Sequence, residues 1–580
     1  MRSKSFLAVA LLVVLSMLLT QCSPAATPAP AAPTAAPAQA TQPAAAPTAA
    51  AAPTAAASAA TTAPSGTAAP AAAAGQKVLR VTFSWPDAID PAVGDDYAAS
   101  SSLINLYDSL VFPNAAGGVD PWLADKWDVS TDGLTYTFHL HPGVLFHDGN
   151  PLKASDVVFS FNRLKTIGQG FAYLVTPGVA NVTAPDDSTV VFTLSKPSAL
   201  FLSTLVRLYV AEESLVKQNT NPQGAYGTNG DFGTAWLQTH DAGSGPYMVQ
   251  EFPLEQYLLM QKNTKWWGKF AANAPDQVRF IGTTEGVTVR TLMQSNQLEI
   301  SDQWQSFEAY QALAKIPGVQ IAPLPSMTSF YYMLNTKKPP TDDIHCRKAM
   351  EWAFDYQSAL SLEWPGTKQM VGPVPATLAG HDASVLVYSH DLDKAKAELA
   401  QCKYASQLDQ YPITLDWTAE VPDEEKYALL FQSNMADIGM KVNIVKEPWL
   451  SIVQNESKLE SSPSITTIYV ASDLPEAGLM LREKYSSTTT GTWYQNEWLQ
   501  DTQLDAEIND ALGTLDQTQR FAKYDRIQEE LVDMAPTLWL YDQIEKHAYR
   551  TCVDWPATRN ETSLVQGYVF FAANIGVNCQ

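Results

Sequence analysis

Residues 134–163 read LTYTFHLHPGVLFHDGNPLKASDVVFSFNR, and this is the most informative stretch of the chain. Polar and apolar side chains alternate over residues 135–140, a pattern typical of a half-buried strand. The sequence HDGN that follows is turn chemistry, because Gly149 can adopt a positive φ. Residues 154–164 then show the apolar spacing of a helix. We therefore predict a strand, a turn and a helix that pack together.

The same stretch resembles a signature of the family 5 extracytoplasmic solute-binding proteins, which serve bacterial ABC importers for peptides and nickel. That signature runs approximately Y-T-F-x-L-R-x-G-V-x-F-H-D-G-x-P-L-T-A-x-D-V-x-F-S. His141 departs from its usual arginine and Lys153 from its usual threonine. The resemblance implies a binding subunit without enzymatic activity. The residues that match, in order and without a gap, are Tyr136, Phe138, Leu140, Gly143, Val144, Phe146, His147, Asp148, Gly149, Pro151, Leu152, Ala154, Asp156, Val157, Phe159 and Ser160.

Further segments resemble the same family along most of the chain, such as GSGPY at residues 243–247 and DIHCRKAMEWAFD at residues 343–355. The resemblance implies an α/β protein with a two-lobed, periplasmic-binding-protein-like fold, an additional inserted subdomain and a hinged cleft. Crossings of the chain near Asn335 and Arg550 would form the hinge. The implied division is a signal peptide at residues 1–21, a lipidated and disordered tether at 22–76, lobe I at 77–119, 239–335 and 549–580, an inserted subdomain at 120–238, and lobe II at 336–548.

The N-terminus predicts export and a lipid anchor. Arg2 and Lys4 precede an uncharged, mostly apolar run at residues 6–19, which is too short to span a bilayer comfortably. The run ends in LTQC, which resembles a bacterial lipobox with Cys22 as the acylated residue, although a small residue usually stands in the place of Gln21. We expect an extracytoplasmic protein that its lipid holds on the membrane surface. The alternative is an ordinary signal peptide followed by a coincidental cysteine.

Residues 23–76 are built almost wholly from Ala, Pro and Thr and contain no charged or aromatic residue. Such a segment cannot bury a core, and its prolines disfavour a continuous helix. We interpret it as an extended tether between the membrane and the folded part of the chain.

The remainder of the chain is too large for one hydrophobic core. About 500 residues follow the tether, which implies two or more domains. The chain has 37 basic and 60 acidic residues, and removal of Arg2 and Lys4 with the leader leaves 35 against 60, a formal charge of −25. This acidity argues against a nucleic-acid partner.

Four cysteines follow Cys22, and an even number in an exported chain suggests two disulfides, with three possible pairings. Their spacing does not fit a C-x-x-C metal motif. The lobes implied by the resemblance favour Cys346 with Cys402 and Cys552 with Cys579, because each bond then lies within one lobe. Four free buried thiols are the alternative.

The hydrophobic pattern of the second half predicts alternating helices and strands. Helical spacing covers residues 347–360, 392–399 and 427–440, whereas residues 413–417 and 441–445 alternate as strands do. Strands that enclose a helix in this order build an α/β lobe.

A calcium loop competes with the hairpin interpretation at residues 128–139. Asp128, Asp132 and Gly133 fit its first positions, but His139 occupies the twelfth, where a bidentate glutamate is required. A hairpin turn at the Asp-Gly pair is therefore the better interpretation.

A nickel or haem site is the second competing pattern, because relatives in the resembled family carry such cargo. His139 and His141 share one face of the predicted strand, and His147 is nearby. No carboxylate or second histidine cluster accompanies them, and the resemblance places them away from the cleft. The chain also lacks G-x-S-x-G, H-E-x-x-H and phosphate-loop motifs. We predict no metal, no cofactor and no hydrolase activity.

The resemblance points to Asp473 as the anchor for a cationic group of the ligand. In peptide-binding relatives, an aspartate in an A-D-Y-x-D/E-P segment of the second lobe holds the α-amino group, and ASDLPEA at residues 471–477 resembles that segment. A charge-assisted hydrogen bond is strong in a water-excluded cleft. Leu474 and Ala477 depart from the aromatic residue and the proline of the segment. The alternative is an exposed aspartate that caps the next helix.

Aromatic side chains are the other candidates for ligand contact, because their faces suit sugar rings as well as peptides. The candidates are Trp304 near the cleft, Trp493, Tyr494 and Asn496 in the loop after the anchor segment, and Trp85 after the first predicted strand. We predict a monomeric subunit that captures an oligopeptide-class ligand in the interlobe cleft and delivers it to an ABC permease in the membrane. An oligosaccharide binder is the leading alternative, followed by a metal-chelate binder and by a surface receptor without a transport role.

Overall fold

A computed structural model of the protein describes residues 75–83, 86, 88–254, 256–419, 421 and 423–579. The predictions for the signal peptide, for Cys22, for nearly all of the tether and for Trp85 fall outside the described residues. Within that part of the chain, the structure contains no helix of the length and apolarity that a bilayer crossing requires.

The described residues form strands and helices in alternation. The strands are β1 Val78–Phe83, β2 Val111–Pro113, β3 Val119–Pro121, β4 Ala124–Val129, β5 Thr135–Leu140, β6 Val179–Asp186, β7 Thr189–Leu194, β8 Tyr247–Glu251, β9 Tyr257–Lys262, β10 Gln277–Gly282, β11 Val319–Leu334, β12 Lys368–Gln369, β13 Ile413–Thr418, β14 Val442–Glu447, β15 Ile465–Ala471, β16 Thr537–Arg550, β17 Val553–Asp554 and β18 Gly576–Val577. The α-helices are α1 Tyr97–Leu106, α2 Ala154–Ile167, α3 Ala172–Val175, α4 Phe201–Thr204, α5 Glu213–Gln218, α6 Thr234–Leu237, α7 Gly286–Gln294, α8 Phe307–Leu313, α9 Ile344–Ala353, α10 Tyr356–Leu360, α11 Leu392–Leu399, α12 Glu424–Asp437, α13 Trp449–Glu456, α14 Ala477–Tyr485, α15 Thr502–Leu512 and α16 Gln517–Met534.

The first sheet has the strand order β1-β10-β9-β8, with β1 parallel to β10. In β1 the alternating pattern buries Leu79 and Val81. Arg80 points to the other face and donates hydrogen bonds of 2.9 and 2.6 Å to Glu299. Ile300 forms a parallel β-bridge with Val81 of β1. The segment that follows Ile300 therefore begins at the edge of this sheet.

The predicted strand, turn and helix are β5, a turn at Gly149 with φ 96°, and α2. The strand lies in the sheet β4-β5-β7-β6. The helix begins after Lys153, whose backbone N–H donates to Asp156 at 2.9 Å. It ends at Gly168, which adopts the left-handed conformation, with φ 70°, that commonly closes a helix.

The largest sheet has the order β12-β16-β11-β15-β13-β14. Helix α12 connects the parallel strands β13 and β14, as the pattern predicts. The helix predicted at 427–440 begins and ends three residues earlier, and Gly439, with φ 78°, follows it. The helix predicted at 347–360 is divided into α9 and α10, because the carboxylate of Asp355 accepts the Ser358 N–H at 3.0 Å and caps a new helix there.

Strands β11 and β16 pair antiparallel along their whole length. Val319, at the N-terminal end of β11, belongs to a small hydrophobic cluster. The C-terminal half of the strand belongs to the core of the largest sheet. A register shift between Pro325 and Ser329 separates the two halves. The predicted crossings near Asn335 and Arg550 lie at the far ends of these strands, and the domain boundaries themselves stay a prediction.

Two disulfides tie the chain. The sulfur of Cys346 is bonded to that of Cys402, and Cys552 is bonded to Cys579. This is the pairing that the implied lobes favour. The first bond joins α9 to the third residue after α11, and the second joins the turn after β16 to the second residue after β18.

Candidate ligand-binding site

A cavity of about 330 Å³ lies between the segment after Ile300 and the largest sheet. Trp304 and Phe307 line one wall, and Trp364 and Tyr469 line the other. Trp304 is 46% exposed, so part of its side chain is accessible to a ligand. The polar side chains of the cavity are Gln303, Gln305, Glu363, Asp423, Lys426, Gln543 and Lys546.

The buried carboxylate of Asp302 holds the segment that carries Trp304. It accepts the hydroxyl of Thr82, in β1, at 3.1 Å and the backbone N–H of Trp304 at 2.9 Å. The Gln305 side chain adds hydrogen bonds of 3.0 Å. Burial raises the pKa of Asp302, while these donors oppose the rise. The tryptophan therefore sits on a rigid support at the edge of the first sheet.

The charges on the opposite wall are paired. Glu363 accepts a hydrogen bond from the Tyr541 hydroxyl at 3.1 Å, and the Lys546 ammonium lies 3.6 Å from the same carboxylate. Lys426 lies 2.7 Å from Asp423. The cavity thus offers aromatic faces and neutral amides together with charges that already have partners.

Asp473, in the loop after β15, lies against α3, which belongs to residues 120–238, here named the inserted segment. The hydroxyl of Tyr173, in α3, donates a hydrogen bond to its carboxylate. The negative charge of Asp473 also favours a higher pKa for Arg207, for Glu483 and for Lys484. We name Asp473, Arg207, Glu483 and Lys484 the charged cluster.

Arg207 is fully buried, although two of its nitrogen atoms lack a partner. Its Nη1 donates to the Tyr209 hydroxyl at 3.3 Å, and its guanidinium lies 4.6 Å from the ring centre of Phe171. Nε and Nη2 have no hydrogen-bond partner among the described residues. A buried guanidinium normally has its donors satisfied.

Glu483 and Lys484 form the other side of the cluster at the end of α14. Lys484 is fully buried, and its ammonium lies 3.7 Å from the ring centre of Tyr494 and 5.1 Å from that of Trp493. The Lys484 ammonium and both carboxylate oxygens of Glu483 lack hydrogen-bond partners in the part of the chain that the structure describes. The Arg482 guanidinium is 3.8 Å from Glu483.

Burial shifts the protonation of this pair toward the neutral forms. It raises the pKa of Glu483, and the charge of Asp473 raises it further, to about 7. Burial also lowers the pKa of Lys484 to about 8. Burying a charge without a partner costs several kcal/mol.

The sequence-predicted residues fall into separate places. Trp304 lines the 330 Å³ cavity. Asp473 and Tyr494 belong to or border the charged cluster, and Trp493 stacks on Tyr494 with ring centres 3.9 Å apart. Asn496 is buried in the core of the largest sheet, where it donates to Thr466 at 2.8 Å, so it does not reach the cleft surface.

The cavity and Asp473 are connected by β15 and the loop that follows it. Tyr469, in β15, lines the cavity, and Asp473 follows four residues later. Four residues of chain span at most about 14 Å, which sets the upper limit on the distance between the two backbone positions. An elongated ligand can therefore contact both.

Arg207, Glu483 and Lys484 were not among the sequence candidates. Arg207 stands alone in the apolar run LVRLYV at residues 205–210. A single charged residue inside an apolar run is buried together with the run. This pattern could have identified Arg207 as a candidate from the sequence.

The histidines of the inserted subdomain do not converge. His139 contacts Asp128 at 3.4 Å, His141 contacts the carbonyl of Pro142 at 2.9 Å, and His147 contacts the Asp241 carboxylate. Within the described ranges, the group of potential metal ligands that lies together is Asp343 with Cys346 and Cys402. Both sulfurs of that group are used in a disulfide, so it does not fit a metal.

Comparison with known proteins supports the resemblance. The family described as bacterial extracellular solute-binding proteins, family 5 middle, matches residues 118–492. The probable D,D-dipeptide-binding periplasmic protein of Escherichia coli (strain K12) is 29% identical over 466 residues, which are 79% of this chain and 87% of that protein. The dipeptide-binding protein of the same organism is 28% identical over 392 residues, 63% of this chain and 70% of that protein.

A solved structure supports the fold. The ABC transporter-associated periplasmic binding protein from Helicobacter pylori, in complex with the peptide STSA, has a TM-score of 0.72 and 22% identity, and the match covers 87% of this chain and 99% of that one. The predicted α/β, two-lobed periplasmic-binding-protein-like fold is therefore confirmed.

Proposed function

This chain belongs to family 5 of the bacterial extracellular solute-binding proteins, and on that premise we propose that it captures a short peptide between its lobes and delivers it to an ABC permease. The family consists of binding proteins, and an enzymatic step forms no part of the proposal. The relatives named above are described as dipeptide-binding proteins. Anchoring through a lipid on Cys22 and a monomeric state belong to the same proposal.

The charged cluster is the observation that carries this proposal. The carboxylate of Asp473 suits an ammonium group, and the unpartnered donors of Arg207 suit a carboxylate. A short peptide has both groups. A neutral ligand would leave the buried charges without partners, so the cluster selects against it.

The contacts of the cluster also provide a reason for closure upon binding. Tyr173 comes from the inserted segment and Asp473 from the lobe of the largest sheet. When the two parts meet without a ligand, two nitrogens of Arg207 and the ammonium of Lys484 are buried without hydrogen-bond partners among the described residues, which disfavours that arrangement. A zwitterionic ligand supplies the missing partners and shifts the population toward the closed form.

An oligosaccharide is the second candidate, and the exposed face of Trp304 favours it. Aromatic side chains beside amides are a common support for sugar rings. The paired charges of the 330 Å³ cavity make that cavity compatible with a neutral ligand. The two candidates thus use different ends of the same cleft.

Native mass spectrometry of the purified protein tests the choice. The protein is incubated with an equimolar mixture of dipeptides and tripeptides, and separately with a mixture of linear oligosaccharides. We expect bound peptides in the first experiment. N-acetylation or C-terminal amidation of a bound peptide should each weaken its affinity in titration calorimetry. Binding of saccharides with no binding of peptides would contradict the proposal.

A further inference from the structure

A second cavity, of about 270 Å³, lies between the inserted segment and helices α14 and α15. Its walls come from α3, from α4 and the chain before it, and from the two helices of the other lobe. Two contacts border the region. The Ala199 N–H donates to the Leu512 carbonyl at 3.2 Å, and the Tyr173 hydroxyl donates to Asp473.

Most of the lining of the second cavity is apolar. The residues that form these walls are Leu174, Val175, Leu200, Phe201, Leu479 and Leu512. An apolar body of moderate size would lose its water-exposed surface on entering such a space, and this burial is favourable.

Two cations border these apolar walls. Lys196 and Arg482 both line the cavity, and no acidic side chain does so among the described residues. The Arg482 guanidinium is 3.8 Å from Glu483, beyond hydrogen-bond distance. Lys196 is exposed. The cavity thus combines an apolar interior with a net positive rim, in a chain whose formal charge is −23.

Helix α14 separates the second cavity from the charged cluster. Leu479 and Arg482 are three residues apart, so they lie on one face of the helix, and both line the cavity. Lys484 lies instead against the ring of Tyr494. A ligand in the second cavity would therefore not contact Lys484.

We propose that the second cavity is a binding site for a small amphipathic anion, a free carboxylate with an unbranched apolar tail. The carboxylate lies between Lys196 and Arg482, and the tail lies among the leucines and Phe201. Because the walls belong to both the inserted segment and the other lobe, such a ligand also favours the arrangement in which they meet.

Octanoate is the probe, and 1-octanol and butyrate are its matched controls. Titration calorimetry of the full mature chain should give one site for octanoate. We expect at least tenfold weaker binding of 1-octanol, which lacks the charge, and of butyrate, which lacks most of the tail. Equal affinity for octanoate and 1-octanol would overturn the proposal.

Variants locate the site. Lys196→Gln combined with Arg482→Gln should weaken octanoate at least tenfold, whereas Lys165→Gln, an exposed lysine on α2, should leave it unchanged. Ser198→Trp places a ring in the cavity from its rim and should abolish binding while far-ultraviolet circular dichroism and the urea unfolding midpoint stay native. Octanoate binding that survives Ser198→Trp would show that the ligand lies elsewhere.

Asp473→Asn distinguishes this site from the proposed peptide site. We expect octanoate to bind this variant as it binds the wild type. Loss of octanoate binding in Asp473→Asn, with no loss in the Lys196→Gln, Arg482→Gln double variant, would place octanoate in the peptide cleft and would overturn the proposal of a second site.

Discussion

At the scale of single residues, two fully buried arginines differ in their partners. Arg163 makes two hydrogen bonds of 2.6 Å to the carboxylate of Asp90. Arg207 has only the Tyr209 hydroxyl at 3.3 Å. The first pair is a satisfied structural ion pair, whereas two nitrogens of Arg207 have no hydrogen-bond partner among the described residues.

The two arginines should therefore respond in opposite ways to replacement by methionine. Arg163→Met leaves Asp90 buried and unpaired, so we expect it to lower the free energy of unfolding by about 3–5 kcal/mol. Arg207→Met removes a buried guanidinium of which two nitrogens lack hydrogen-bond partners among the described residues, so the ligand-free protein should become more stable by about 1–3 kcal/mol. Urea unfolding measures both.

The same Arg207→Met variant should bind free peptides at least about tenfold more weakly. Its affinity for C-terminally amidated peptides should change little, because these lack the carboxylate. A variant that is less stable than the wild type and binds free peptides normally would show that Arg207 has a structural role.

Asp473→Asn discriminates the two ligand classes at the residue scale. For a peptide with a free amine, the change leaves a buried cation unpaired and should cost roughly 2–5 kcal/mol, or at least about thirtyfold in affinity. For a neutral oligosaccharide the loss should be about 1 kcal/mol, since asparagine still bonds hydroxyls. Titration calorimetry is the measurement.

Asp125→Asn is the matched control, because Asp125 is exposed on β4. If the ligand is a saccharide, Trp304→Ala or Trp493→Ala should weaken binding more than Asp473→Asn does. Wild-type affinity in Asp473→Asn, Trp304→Ala and Trp493→Ala together would mean that the cleft is placed wrongly.

At the scale of elements, helix α12 carries a buried carboxyl group into the largest sheet. Glu424 accepts the backbone N–H of Thr418 at 2.8 Å and the hydroxyl of Thr467 at 3.0 Å. Burial raises its pKa to about 8, and these donors only partly oppose the rise. The native protein thus holds the proton up to a higher pH than the unfolded chain does.

This raised pKa predicts a loss of stability with alkali. The contribution of Glu424 is fully present below the pKa of the unfolded state, about 4, and is lost as the pH rises through about 8. Urea unfolding at pH 5 and pH 8.5 should show the lower midpoint at pH 8.5. Glu424→Gln imitates the protonated form and should flatten this dependence.

Glu425→Gln, on the exposed neighbour in the same helix, serves as the control and should leave the pH dependence unchanged. An equal slope in Glu424→Gln and the wild type would show that Glu424 does not bind its proton in this range.

At the scale of the whole molecule, closure depends on contacts between parts that are distant in sequence. Small-angle scattering should give a smaller radius of gyration with a saturating peptide than without it. Tyr173→Phe, which removes the hydroxyl that donates to Asp473, should reduce the population of the compact form at subsaturating peptide. An unchanged radius at saturation would contradict the closing-cleft mechanism.

The attachment of the whole molecule to the membrane is a separate prediction. Cys22→Ser should release the protein from the membrane fraction or leave an uncleaved precursor, because the acylated side chain is lost. Cell fractionation and intact mass measure this. An unchanged mature mass with unchanged membrane retention would show that Cys22 carries no lipid.

Short-range patterns in the sequence were enough for much of the fold. The alternation over residues 135–140 predicted β5, and the apolar spacing at 154–164 predicted α2, because both periods depend only on neighbouring residues. Turn and cap chemistry is equally local, and Gly149 adopts the positive φ expected of it. The prediction of one continuous helix at 347–360 was wrong, because Asp355 caps a second helix there. The apolar spacing alone does not report this cap.

The amino-acid pattern was sufficient to predict the family, several strands and helices, and Asp473 as a candidate ligand anchor. Which charges lie around that aspartate, and the burial of Asn496 in the core, depend on tertiary packing. Arg207 and Lys484 come from segments far apart in sequence, and no periodic pattern reports contacts across a cleft. Their proximity to Asp473 arises when separately packed lobes meet, and it is this long-range packing that gives the site its charge.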